Sequence, residues 1–124
     1  ASLAWFAVGS ALGLLLTWEP VRAWAYGFGG RPALVHVHFQ LVGFVTQMIF
    51  GVAYHVLPTL SRGAIHSYFL GYLHFTLVNA GLLVFGAGFW WGERAGFLLP
   101  GGGALLFLGF VFFLYNIGRS FGRA

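Results

Sequence analysis

The stretch that decides the reading of this chain is Ala33–Leu57, ALVHVHFQLVGFVTQMIFGVAYHVL, opened by Val35-His36-Val37-His38. It is long and apolar, yet it carries two histidines at its head and Gln40 and Gln47 further along. Ionisable side chains in such a run are costly and usually mark function. Helix geometry sets His36 and His38 roughly 200° apart, so the two cannot grip one metal ion together. The face of His36 continues through Gln40, Gly43, Gln47, Gly51 and Tyr54, a polar and small-residue stripe expected to face protein. The face of His38 continues through Leu41, Val45, Ile49, Val52 and Val56. That aliphatic stripe suits lipid, with the imidazole snorkelling to the interface, and equally suits the apolar face of a porphyrin.

The rest of the chain has the same character. Of its 124 residues 60% are hydrophobic, 20% aromatic and only 6% charged, and its mean hydropathy is +0.88. A soluble domain carries about 25% charged residues, so the solvent expected here is lipid. The net charge of +4 comes from six arginines, with no lysine. They are scattered singly and make no nucleic-acid patch; they read as interface anchors or as partners for anionic groups. The absence of cysteine excludes disulfides, thiolate metal sites and thiol catalysis. The first apolar run has neither a basic leader nor a small-residue cleavage site, so it is not read as a signal peptide.

Pro, Gly and Arg divide the apolar sequence into four expected spans of roughly 18–26 residues, at positions 2–18, 33–57, 65–91 and 97–117. The first holds Gly9 and Gly13 at GxxxG spacing, which admits a close neighbouring helix. The link 19–32 holds Arg22, Trp24, Tyr26 and Arg31. Pro32 suits the first turn of the second span, and Pro58 is expected to stop it. Pro100 is placed in the first turn of the fourth span, where the run Gly101-Gly102-Gly103 requires a packed neighbour. The expected fold is all-α, one domain, a four-helix transmembrane bundle. Four crossings put both termini and the Arg62 loop on one side, with Arg119 and Arg123. Arg22, Arg31 and Arg94 then lie on the other, with Trp18, Trp24, Trp90 and Trp91 as an aromatic belt. Cytoplasmic termini in a prokaryotic-type inner membrane are the expected setting.

All five histidines, His36, His38, His55, His66 and His74, lie on the second and third spans or the segment joining them. The two carboxylates, Glu19 and Glu93, lie in loops, so paired-carboxylate hydrolysis, Ser/His/Asp triads, P-loops and EF-hands lack their parts. Imidazole remains, and it suits haem iron, copper or zinc. His36 and His38 read either as metal ligands or as interhelical hydrogen-bonding residues. His74 shares a face with Ser67, Gly71, Val78, Gly81 and Phe85, which describes a packing histidine. His55 and His66 fall near an interface, where histidine costs little. Gly88, Gly92 and Gly96 read as helix packing.

The order Val35-His36-Val37-His38-Phe39, Gly43-Phe44, Gly51, Tyr54, Leu57-Pro58 and Leu70-Gly71-Tyr72-Leu73-His74-Phe75 resembles the haem-copper oxidase subunit I superfamily. The cbb3-type, nitric-oxide-reductase and NnrS-like branches are the most similar, over about half of the chain. The resemblance implies one four-helix arc of subunit I, with haem b held by His36 and His38 and propionates met by Arg31, Arg94 and Arg22. Gln40 and His74 are further candidates for the cofactor surroundings. The family's copper ligands include a His-His pair, which this chain lacks, so a complete oxidase is not expected and copper is a lesser expectation than haem b.

No other span has a histidine at the depth of His36 and His38, and His74 lies roughly 15 Å away along the third span. A bis-histidine haem therefore needs a second copy of the chain, in a trimer or else a dimer. The expected function is electron transfer with a redox partner, or binding of NO or O2, by a membrane haem protein. Two alternatives stand beside it: a minimal nitric-oxide- or quinol-handling oxidoreductase with a second metal, and a cofactor-free assembly subunit of a membrane complex.

Overall fold

A computed structural model describes residues 1–60 and 64–121. Arg62 and Arg123 lie outside the described residues. The chain is all-helical: α1 (Ser2–Leu15), α2 (Glu19–Tyr26), α3 (Pro32–Leu60), α4 (Tyr68–Trp91) and α5 (Leu98–Phe121), with no strand among the described residues. Three helices, α3, α4 with its 3-10 extension to Ala95, and α5, are long and apolar enough to cross a membrane. The first apolar run is shorter than expected. Its helix has 14 residues, about 21 Å at 1.5 Å per residue, against a hydrocarbon core of about 30 Å. It then bends by 105° into α2, so a fourth crossing exists only if the bent pair counts as one.

The link expected at 19–32 contains α2. Pro20 sits in its first turn, where a missing N–H costs nothing, and Glu19 complements the positive helix end. Trp24 lies edge-on to Phe28 and Trp90, at 5.1 and 6.2 Å between ring centroids, which fastens α2 to the end of α4. Gly29 has φ +76° and Gly92 φ +57°, and a Cβ on Gly92 would collide with the Gly29 carbonyl. These two turns therefore need glycine. Arg31 N–H donates to the Phe89 carbonyl at 2.6 Å, closing the same end of the molecule.

The second span begins at Pro32 as expected but runs through Pro58 to Leu60. Proline forfeits the bond to the carbonyl four residues back and crowds that carbonyl, and Pro58 does so two residues before Leu60, in the last described turn of the helix. Within α3, Phe39–Thr46 form a π-helix. Thr46 Oγ1 also donates to the Leu41 carbonyl, five residues back, at 2.8 Å. α4 starts at Ser67, whose hydroxyl accepts from Leu70 N–H as an N-cap.

α4 and α5 form an antiparallel hairpin packed through small residues. A Cβ on Gly81 would lie 2.9 Å from Leu106 N, and one on Gly88 2.9 Å from the Leu99 side chain. On α5, Gly102 abuts the Phe85 backbone and Gly109 abuts Val78. Pro100 stands in the first turn of α5, and of the following glycines Gly102 alone is closely packed. The core is Val78, Leu82 and Leu106, with Trp5, Phe39, Val42, Phe85 and Phe110 against it. Gly43 makes this possible, because a Cβ there would reach 2.6 Å from Trp5.

Candidate functional site

Gly9 and Gly13 receive not a foreign helix but α3. His36 lies over Gly13, where a Cβ would come within 2.5 Å of its Cε1 and 3.2 Å of its Nε2. Its Nδ1 is 2.7 Å from the Gly9 carbonyl, and a carbonyl can only accept, so Nδ1 carries the hydrogen. Gln40 donates to Ser10 Oγ at 2.9 Å and to the Phe6 carbonyl at 3.4 Å. Gln47 pairs with Asn79, whose Oδ1 also receives the Trp5 indole N–H at 2.7 Å. The stripe from His36 to Gln47 therefore faces α1 and α4. Further along, Gly51 is exposed.

His38 points elsewhere. Its ring lies 5.1 Å from those of both Phe85 and Phe89 on α4. Its Nδ1 is 2.8 Å from the Leu34 carbonyl, one turn back, which assigns the hydrogen to Nδ1 and leaves the lone pair on Nε2. Metal-ligating histidines commonly have this arrangement, with the second nitrogen donating to a carbonyl. Leu41, Val45, Ile49, Val52 and Val56, below it, are exposed.

Phe89 also lines a recess of about 460 Å³ at the closed end of the molecule, into which Arg31 and Arg94 both open. Neither arginine has a carboxylate partner among the described residues, whereas Arg22 forms an ion pair with Glu19 and does not line the recess. Two of the three expected arginines are thus brought together. Glu93 lines the same recess.

Among the described residues no three His, Asp or Glu side chains converge as a metal cluster. The chain matches no family model, curated protein or solved structure. The likeness to subunit I accordingly rests on the residues quoted above.

His74 is buried, and its Nδ1 is 2.9 Å from the Gly109 carbonyl of α5. It is enclosed by the rings of Phe50, Tyr54 and Phe113 at 4.8, 5.9 and 5.3 Å. His74 and Tyr54 both line a second cavity of about 460 Å³, a groove between the lower halves of α3 and α4. His55 is exposed and His66 half-buried near the start of α4.

Sequence reasoning did not single out Asn116. It is fully buried, accepts from Ser67 N–H, and donates to the Ser67 carbonyl and, at 3.4 Å, to the Tyr54 hydroxyl. An amide isolated in an apolar run was the available signal, for Asn116 and for Asn79 alike. Phe85 and Phe89 carried no such signal, because one phenylalanine among 15 is not distinguished by type.

Proposed function

We propose that this chain is a membrane-embedded b-type haem protein serving electron transfer or the binding of NO or O2, with His38 as the axial ligand. The observation that carries the reading is the setting of His38. Its Nδ1 hydrogen is committed to the Leu34 carbonyl, its ring packs against the touching rings of Phe85 and Phe89, and Arg31 and Arg94 meet in the recess beyond Phe89. Arg31 precedes His38 by seven residues, about two helical turns, and so shares its side of α3. Guanidinium groups pair with carboxylates through two parallel hydrogen bonds, which suits propionates. His36 serves as the interhelical clasp, since α1 covers it.

Bound there, haem supplies one-electron redox chemistry or, with an axial position open, gas binding. The protein supplies an apolar wall, one imidazole and two cations. In this reading α1 and α2 together make the fourth crossing of a subunit I-like arc in an inner membrane, with cytoplasmic termini. Of the two histidines at this depth α1 covers His36, so in a monomer the site would offer His38 alone. It becomes bis-histidine only where a second copy, in a trimer or dimer, contributes its own.

Visible absorption of detergent-purified protein from haem-replete cells tests the proposal. A stoichiometric Soret band is expected, and its absence refutes the reading. His38→Gly should lose the band and regain it with added imidazole, whereas His36→Gln should keep it. A full band in His38→Gly without imidazole would remove His38 from the site.

A further inference from the structure

The groove between α3 and α4 lies at the opposite end of the molecule from Arg31 and Arg94, and the haem reading makes no use of it. Its lining includes Gln47, Phe50, Gly51, Tyr54, Gly71 and His74. Its volume of about 460 Å³ falls within the range of small-molecule sites, about 300–1,000 Å³. Nothing fills the space in front of Gly51: a Cβ there would meet no atom within 4 Å. Across the groove, a Cβ on Gly71 would make only ordinary contact, 3.9 Å from the Tyr54 ring.

Two polar groups at this groove have capacity left. The His74 Nδ1 hydrogen is committed to Gly109, so Nε2 presents a lone pair and can only accept. The Tyr54 hydroxyl accepts from Asn116, and among the described residues no acceptor for its own hydrogen is found. One acceptor and one donor thus stand on neighbouring rings 5.9 Å apart. A ligand hydroxyl satisfies both, donating to His74 and accepting from Tyr54. Gln47 is tied to Asn79 through one N–H and through its carbonyl, which leaves it one further N–H donor.

Depth and walls narrow the ligand further. His74 is six residues into α4, about 9 Å from its start, where a charged headgroup is costly. Aromatic faces on Phe50 and Tyr54 favour a flat ring over a bare alkyl alcohol. We infer that this groove binds the ring of a lipid-soluble hydroquinone, the reduced form of a membrane quinone, through its hydroxyl between His74 and Tyr54. The oxidised quinone carries only carbonyl acceptors and leaves His74 Nε2 unpaired, so the site distinguishes the two oxidation states.

Anaerobic titration of the full chain in phosphatidylcholine nanodiscs with decylubiquinol and decylubiquinone, read by tryptophan fluorescence, tests this. Saturable binding is expected, about tenfold tighter for the quinol, the worth of one unmet buried hydrogen bond. Gly51→Leu should abolish binding without lowering the melting temperature, since its side chain enters open space. His74→Phe should erase the preference for the quinol, and Tyr54→Phe should weaken both forms. Equal affinity for quinol and quinone, or binding indifferent to Gly51→Leu, overturns the inference. So does equal competition by decanol, which would make the groove a seat for an acyl chain. The same titration on His38→Gly separates quinol binding from the haem reading: it should persist there even if no haem is found.

Discussion

The α4–α5 seam and the lower half of α3 have similar apolar composition and opposite packing. Along the seam, Gly81, Gly88, Gly102 and Gly109 let backbone meet backbone or a branched side chain, and no room is left for anything else. Below Thr46, α3 buries no residue fully; it reaches Asn79 and His74 of α4 and Phe113 and Asn116 of α5 only through the side chains of Gln47, Phe50 and Tyr54. Where lipid is the solvent, apolar area gives helices no reason to associate, and close van der Waals contact and interhelical hydrogen bonds do that work. The seam has the first in full. Lower α3 has little of either, and a cavity lies beside it. Glycine therefore means two things in this chain: a seat for a neighbour at Gly102 and a vacant wall at Gly51.

That contrast is broken most severely by filling the seam. Gly102→Leu places a side chain against the Phe85 backbone, which no rotamer change relieves, so the hairpin must open. A loss of more than about 3 kcal/mol is expected, at the upper end of overpacking effects, and should appear as loss of the monodisperse peak after mild heating in detergent. Gly51→Leu is the control, expected to be no less stable than the parent, since it meets no atom and leucine is a better helix former than glycine. Next in size is Asn116→Ala, which leaves the Ser67 N–H without its acceptor and the Ser67 carbonyl with only the Gly71 N–H, at the start of α4. About 2 kcal/mol should be lost, with hydrogen exchange rising first at the α4 N-terminus.

The same contrast explains what the sequence could and could not reveal. Helix content, the aromatic end and the divergence of His36 from His38 follow from composition and from the 3.6-residue period, which are local properties. The placement of Pro100 in a first turn and the use of Gly9 and Gly13 for close approach were legible for the same reason. The bend after Leu15 was not, since both sides of it read as acceptable helix and the turn depends on Trp24 finding Phe28 and Trp90. The π-helix at Phe39–Thr46 has no compositional mark. Nor does sequence tell Gly101 from Gly102: one faces open space and the other a backbone amide. At the candidate site, residue types and divergence were visible, whereas the pairing of Arg31 with Arg94 and the covering of His36 by Gly13 required the tertiary arrangement.

A finer probe sits where the two regions meet, at Trp5, Gln47 and Asn79. Trp5→Phe keeps the ring against Phe39, 4.7 Å away, and deletes only the indole N–H bond to Asn79. Interhelical hydrogen bonds in membranes are worth about 0.6 kcal/mol on average, and Gln47 still supplies Asn79 Oδ1 with a donor. A loss of about that size in reversible unfolding from mixed micelles is expected. A loss of about 2 kcal/mol or more, the size of a stripped buried group, would mean that this triad, rather than the close packing at Gly9, Gly13 and Gly43, holds α1 in place.

An effect of similar size has the opposite sign. Gly51→Ala adds a methyl group that touches nothing and removes a glycine from the interior of a helix. Glycine there costs roughly 0.5–1 kcal/mol relative to alanine, so the variant should be slightly more stable than the parent by the same unfolding measurement. Gly102→Ala, one methyl group as well, should destabilise, because its Cβ already meets the Phe85 backbone. If both alanines destabilised, the space beside Gly51 would be filled by something that holds the lower halves of α3 and α4 together. If Gly51→Ala stabilises as expected, that glycine is kept at a cost in stability, and an open groove wall is the feature that cost maintains.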